Sequence, residues 1–154
     1  MKPYVITTDS CADLTDEYRK KHEIGMVSLS CLLDGQIYNS DNPLPLDVFY
    51  AMMRGGAMPT TSQVNPEQAK AMFEPYLKEG KDILHLAFSS ALSGSCQSAV
   101  IAAAELMEEY PERKIQVIDT LTAALGQGLL IHRAAQMRES GASMEEVAAW
   151  CEDN

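Results

Sequence analysis

Hydrophobic and polar positions follow two periods along this chain. PYVITT (3–8), KDILHLAF (81–88) and KIQVID (114–119) are short runs dense in aliphatic and β-branched residues, the pattern of strands covered on their faces. IGMVSLSCLLD (24–34) alternates apolar with polar and predicts a half-buried strand. Asp34-Gly35 then marks a hairpin turn into QIYN. Between these runs the period lengthens to that of helices. TDEYRKKH (15–22) predicts a short helix capped by Asp13 or Thr15, and LDVFYAMM after Pro45 one that stops at Gly55-Gly56. AMPTTSQV (57–64) reads as loop or short strand. Asn65-Pro66-Glu67 opens a helix that runs to Gly80, and SCQSAVIAAAELMEEY (95–110) predicts another, capped by Ser93 or Ser95. A long helix over 121–140 closes at Gly141, and the capping box Ser143 to Glu146 opens the last one. Strands alternating with helices across short loops predict an α/β fold: a mainly parallel sheet with helices on both faces.

The chain of 154 residues is the size of one domain, and its 46% apolar and 22% charged content is that of a globular protein. A net charge of −10 argues against nucleic acid as a partner and against an anionic membrane surface. Cys11, Cys31, Cys96 and Cys151 are scattered without a C-x-x-C, which suits free thiols in a reducing compartment rather than a zinc site or a disulfide framework. With no signal-peptide core at the N-terminus and no long apolar run, the expected location is the cytoplasm. Nine methionines suit adaptable apolar packing, and Met52, Met53, Met58, Met72 and Phe73 flank TTSQ (60–63) as a candidate apolar lining.

In parallel α/β sheets, ligands sit beyond the carboxyl ends of the strands. Three hydroxyl-rich segments fall there: TTDSCAD, SSALSGS and DTLTAA. FSSALSGSCQS (88–98) carries five serines in eleven residues, ahead of a helix whose first amides favour an anion. Capping accounts for some of those serines; the rest suit a carboxylate or another small anion. Hydrolysis or group transfer by Ser93 is the competing reading, but ALSGS lacks the first glycine of a nucleophile elbow, and His22, His85 and His132 are not aimed at the strand ends. No phosphate-binding loop is present, and Gly126-Gln127-Gly128 suits close helix packing. Asp9 and Asp119 follow strands but do not make a recognised metal loop, so neither a metal nor a cofactor is expected.

TTDSCADL (7–14), TTSQ (60–63), SSALSGSCQSA (89–99) and VIDTLTAALGQG (117–128) resemble, in order and spacing, the four signature segments of the DegV family. The resemblance covers the whole chain and is most specific at S-S-x-L-S-G followed by Q-S-A. It implies a non-catalytic carrier: members hold a long-chain fatty acid with its tail buried and present its carboxylate to a fatty acid kinase partner, which makes an acyl phosphate. Matched residue by residue, Thr61 and Ser93 fall on the carboxylate-binding positions, with Ser62, Ser90 and Gly94 as neighbours. Ser95-Cys96 stands where the family usually has Thr-Tyr, and Ala123-Ala124 where it often has Ala-Ser. Family members run to about two domain lengths. The resemblance therefore implies that 1–154 corresponds to the N-terminal domain, with the second lipid-binding domain outside this chain. An acyl tail gains ~0.8 kcal/mol per buried methylene, so half a pocket implies weak binding, and an uncovered apolar face implies self-association.

Overall fold

The computed structural model describes residues 3–154. Four parallel strands form the main sheet: β1 (Tyr4–Asp9), β2 (Gly25–Val27), β6 (Asp82–Ala87) and β7 (Ile115–Asp119), in the order β2-β1-β6-β7. Their pairing runs Tyr4 to Thr8 against Asp82 to Leu86, and Ile83 to Ala87 against Ile115 to Asp119. β6, at the centre, is buried at every position. Its alternate side chains feed two cores, as a sheet covered on both faces requires. On one face Val5, Ile83 and Ile115 meet Phe73 and Leu77 of α3 (Pro66–Lys78) and Ala99, Ala102 and Leu106 of α4 (Ser95–Glu109). On the other, Ile6, Leu84, Leu86 and Ile118 meet Ile131 and Ala135 of α5 (Ala124–Glu139) and Val147 and Cys151 of α6 (Met144–Asp153).

The run 24–34 is not one strand. After β2 the chain leaves the main sheet and re-enters extended structure as β3 (Ser30–Leu33), which pairs antiparallel with β4 (Gln36–Tyr38) and β5 (Thr60–Ser62) in a second small sheet. The period of two persists across the break, which is why the sequence reads as continuous. Side-chain hydroxyls make the turn: Ser10 Oγ accepts the Leu29 amide at 3.0 Å, and Ser28 Oγ accepts the Ser40 amide at 3.2 Å. The hairpin itself is as expected, with Asp34 and Gly35 both at positive φ (49° and 77°), as a tight two-residue turn demands. α1 (Asp16–Lys21) is capped by Thr15, whose Oγ1 accepts the Tyr18 amide, while Asp13 adopts a left-handed conformation just before it. α2 (Leu46–Arg54) has no buried residue and exposes Leu46, Val48, Tyr50 and Met53.

The Asn65 and Ser143 capping boxes form as the sequence indicates. α4 differs: its N-cap is Gly94 with no side-chain cap, because Ser93 Oγ instead accepts the Ser95 amide one step earlier. α5 starts at Ala124 rather than 121, after Leu121 and Ala124 take positive φ (53° each) and carry the chain out of β7. No described helix is long and apolar enough to cross a membrane.

Candidate functional site

β1, β6 and β7 end together, and the three polar loops that leave them meet at one edge. The serine loop between β6 and α4 is tied down residue by residue. The Phe88 amide donates to Asp9 Oδ2 (2.7 Å), the Ser89 amide to the Thr122 carbonyl (3.1 Å) and the Ser90 amide to Asp119 Oδ1 (3.1 Å). Ser89 is buried; its hydroxyl accepts the Ala91 amide and its carbonyl accepts the Leu92 and Ser93 amides. These bonds consume the backbone donors of 88–93, so the loop offers no string of open amides to an anion. Further on, the amides of Cys96 and Gln97 at the start of α4 have no acceptor among the described residues, and there the helix carries its partial positive charge.

TTSQ is brought to the same place. β5 sits beside β3 with Thr61 opposite Cys31, and the chain leaving it touches the serine loop twice. The Val64 amide donates to Ser95 Oγ at 3.0 Å, and Ser95 Oγ is 2.9 Å from Ser93 Oγ. The Gln63 side chain lies over Gly94, occupying the space a β-carbon there would need. The sequence-derived residues thus fall on two adjoining segments: Thr61 and Ser62 on exposed β5, and Ser90, Ser93 and Gly94 on the loop. Ser93 and Gly94 are half-buried, and Ser90 is exposed beside Asp119. The hydroxyls of Thr61 and Ser62 have no hydrogen-bond partner among the described residues and face no competition for a ligand. Of the methionine and phenylalanine set, Phe73 is in the core and Met72 half-buried, while Met53 and Met58 are exposed; they do not form one lining.

Several contributors lie beyond what sequence reasoning singled out. Gln127, fully buried in the first turns of α5, directs Nε2 at Thr8 Oγ1 (3.0 Å), the Leu86 carbonyl (3.3 Å) and Asp9 Oδ2 (3.4 Å). Its Oε1 has no partner among the described residues. The glycines beside it gave the only signal. Gly128 passes so close to the loop after β1 that a β-carbon would sit 2.6 Å from the Ala12 carbonyl, which is the close packing expected of Gly-Gln-Gly. Ser95 matters as the bridge to Val64 rather than as a cap.

The electrostatics of this edge are unusual for an anion site. No Lys, Arg or His occurs in 7–15, 58–65, 88–99 or 119–128. Burial pushes the Asp9 carboxyl above its ordinary value, against hydrogen bonds from the Phe88 and Cys11 amides and Gln127. For Asp119, burial is outweighed by hydrogen bonding from Ser90 and the Leu121 amide, and the carboxyl is held below its ordinary value. Both acids already accept backbone donors, and the described residues include no group of three or more His, Cys, Asp or Glu placed to hold a metal. Ser93 has no histidine partner. His85 is buried with Nδ1 3.0 Å from Thr7 Oγ1, His132 Nδ1 bonds Tyr18, and His22 Nδ1 bonds Glu139. Around the polar groups the surface is apolar: Met58, Leu92, Leu121 and Leu125 are 82%, 68%, 74% and 72% exposed.

The family model described as "Uncharacterised protein, DegV family" matches residues 3–154. A DegV domain-containing protein of Clostridium perfringens is 47% identical over all of this chain and 54% of its own length. A stearic-acid-binding protein from Eubacterium ventriosum superposes with a TM-score of 0.89 at 30% identity, over 97% of this chain and 52% of that one. A DegV family protein from Thermus thermophilus, described by its fatty acid binding, superposes with a TM-score of 0.86 at 36% identity, over 99% and 53%. The chain spans about half the length of these relatives. It belongs to the DegV family.

Proposed function

We propose that this chain binds a long-chain fatty acid by its carboxylate at the carboxyl edge of the main sheet. Thr61 and Ser93 are the principal donors, with Ser62, Ser90 and Gly94 beside them. The observation that carries this reading is the junction of the two segments. Val64 is bonded to Ser95, Ser95 to Ser93, and Gln63 rests on Gly94, which sets β5 against the serine loop. Unpaired hydroxyls on one side and the open Cys96 and Gln97 amides on the other suit a singly charged head group that must be released again. The exposed leucines and Met58 suit the first methylenes of its tail. The two superposed relatives described as binding fatty acids support the same ligand.

The role that follows is carriage rather than catalysis. A serine nucleophile needs a base to take its proton, and the Ser93 hydroxyl bonds only to Ser95 among the described residues. With the carboxylate at an open edge, the bound acid is presentable to a kinase subunit for conversion to an acyl phosphate. In this reading 1–154 is the N-terminal half of a two-domain carrier, the second domain completes the tail pocket, and the apolar faces of the isolated half favour self-association. Extraction of the purified protein followed by mass spectrometry tests the ligand. Fatty acid at a fixed ratio to protein is the expected result, and oleate titration should compete it. A fluorophosphonate adduct on Ser93, lost in Ser93→Ala, would replace carriage with catalysis.

A further inference from the structure

Asp9 ends β1 and Asp119 ends β7, on either side of β6 in the sheet. Two carboxylates beneath a site for a carboxylate oppose the ligand by Coulomb repulsion, so their placement calls for a compensating role. Their hydrogen bonds supply one. Asp9 spends its two oxygens on different amides: Oδ2 accepts Phe88 (2.7 Å) and Oδ1 accepts Cys11 (3.0 Å). Asp119 uses Oδ1 for both of its amides, Ser90 and Leu121, each at 3.1 Å. The first and third amides of the serine loop are therefore drawn apart to the two flanking strands. The Ser89 amide between them goes to the Thr122 carbonyl. The loop is stretched over the end of β6 like a strap with an anchor at each side, and Ser93 follows one turn later, with its amide on the Ser89 carbonyl.

We infer that Asp9 and Asp119 are positioning residues: they bind no ligand, and by orienting the backbone of 88–90 they aim the Ser93 hydroxyl at the fatty acid carboxylate. This role rests on the carboxylate-binding reading above. A carboxylate, buried at Asp9 and half-buried at Asp119, that accepts charge-assisted bonds from two segments fixes their relative placement far better than exposed loop packing does. Because the ligand is anionic and these groups hold donors of the chain itself, backbone amides together with the Gln127 and Ser90 side chains, the acids serve it through geometry and at an electrostatic disadvantage.

The difference in how the oxygens are used makes the role testable with the whole chain. Asparagine keeps one acceptor and turns the other into a donor. At 119 it retains the oxygen that takes both amides; at 9 it leaves either Phe88 or Cys11 facing an NH2 group. Asp9→Asn and Asp119→Ala are therefore expected to weaken oleate binding about tenfold or more, the lower part of the range for a lost charge-assisted bond, and Asp119→Asn to restore most of it. Methyl oleate, which lacks the charge but keeps the tail, is expected to bind all variants alike. Without ligand, amide hydrogen exchange should quicken at least ~10-fold at Phe88 or Cys11 in Asp9→Asn and at Ser90 in Asp119→Ala, with Leu84 and Ile118 unchanged. Equal weakening of oleate and methyl oleate would reduce the acids to general scaffolding and overturn the proposal. So would Asp119→Asn behaving like Asp119→Ala, or unchanged exchange at all of these amides. A wild-type protein that fails to prefer oleate over its ester overturns the head-group reading itself, which the ligand-free exchange distinguishes from a failure of the two anchors.

Discussion

The two ends of the main sheet present opposite chemistry, and simple charge counting points to the end opposite the proposed site. At the amino end, a cleft of about 360 Å³ is lined by Arg19, Lys20, Lys81 and Arg138, four of the chain's twelve Lys and Arg, together with Tyr4 and Tyr76. At the carboxyl end the loops hold no cation; their charged side chains are Asp9, Asp13 and Asp119, among hydroxyls and side-chain amides. Three of these four cations are engaged. Arg19 pairs with Asp16, Lys81 Nζ lies 2.8 Å from Glu79, and Arg138 donates to the His22 carbonyl. Arg19, Lys20 and Arg138 also sit in the last turns of α1 and α5, where helix carbonyls carry partial negative charge and favour them. Those residues complete the fold's own electrostatics. The carboxyl end has the reverse arrangement: acids satisfied by amides, and hydroxyls plus the start of α4 left over. In the proposed site, neutral donors would hold the carboxylate loosely and the tail would supply most of the affinity.

The largest expected effect concerns β6, which joins the two ends. Burial pushes the His85 imidazole down to about 3 from 6.5. The unfolded chain therefore takes up a proton below pH 6.5 that the fold refuses, and stability falls as pH drops from 6.5 toward 3. The slope approaches ~1.4 kcal/mol per pH unit, or roughly 2–3 kcal/mol by pH 4.5. Urea unfolding at pH 7 and 4.5 measures it, and His85→Gln should flatten the difference. Asp9 works in the other sense: its carboxyl is raised above 3.8, so proton uptake favours the fold at the acid end of this window and offsets part of the loss.

Next comes Gly128→Ala, which forces α5 off the Ala12 carbonyl and loosens the carboxyl end alone. A cost of ~1–3 kcal/mol is expected from overpacking, visible in urea midpoints, with weaker oleate binding in the surviving protein. Thr61→Ala and Ser93→Ala are each expected to cost ~1–3 kcal/mol of oleate affinity, by calorimetric titration; in thermal melts Thr61→Ala should cost almost nothing, and Ser93→Ala about 1 kcal/mol, because it removes the acceptor of the Ser95 amide. Smallest of all, Arg19→Ala and Lys81→Ala should leave oleate affinity within about 0.5 kcal/mol. A larger loss would move the head group to the amino end.

Much of this architecture is legible in the sequence, for identifiable reasons. DILHLA declares a central buried strand, and Asn65-Pro66-Glu67 and Ser143 to Glu146 declare helix starts, because each depends on neighbours a few residues away. The break at Ser28-Leu29 is silent since it is made by Ser10 and by the Ser40 amide, from other parts of the chain. For the same reason the serines of 89–98 announce a polar loop without saying which hydroxyls stay free. Ser95 is taken by Val64, 31 positions earlier, and Phe88 by Asp9, 79 positions earlier. Family resemblance, not any spacing rule, pairs Thr61 with Ser93, and nothing local marks Gln127 as a buried node joining Thr8, Asp9 and Leu86.

A crystal structure with oleate bound compares the two ends directly. The carboxylate is expected at the carboxyl edge, with its oxygens about 2.6–3.0 Å from Thr61 Oγ1 and Ser93 Oγ, the usual range for hydroxyl donors. A carboxylate lodged among Arg19, Lys20 and Arg138, or one reaching neither hydroxyl, would contradict the proposed site.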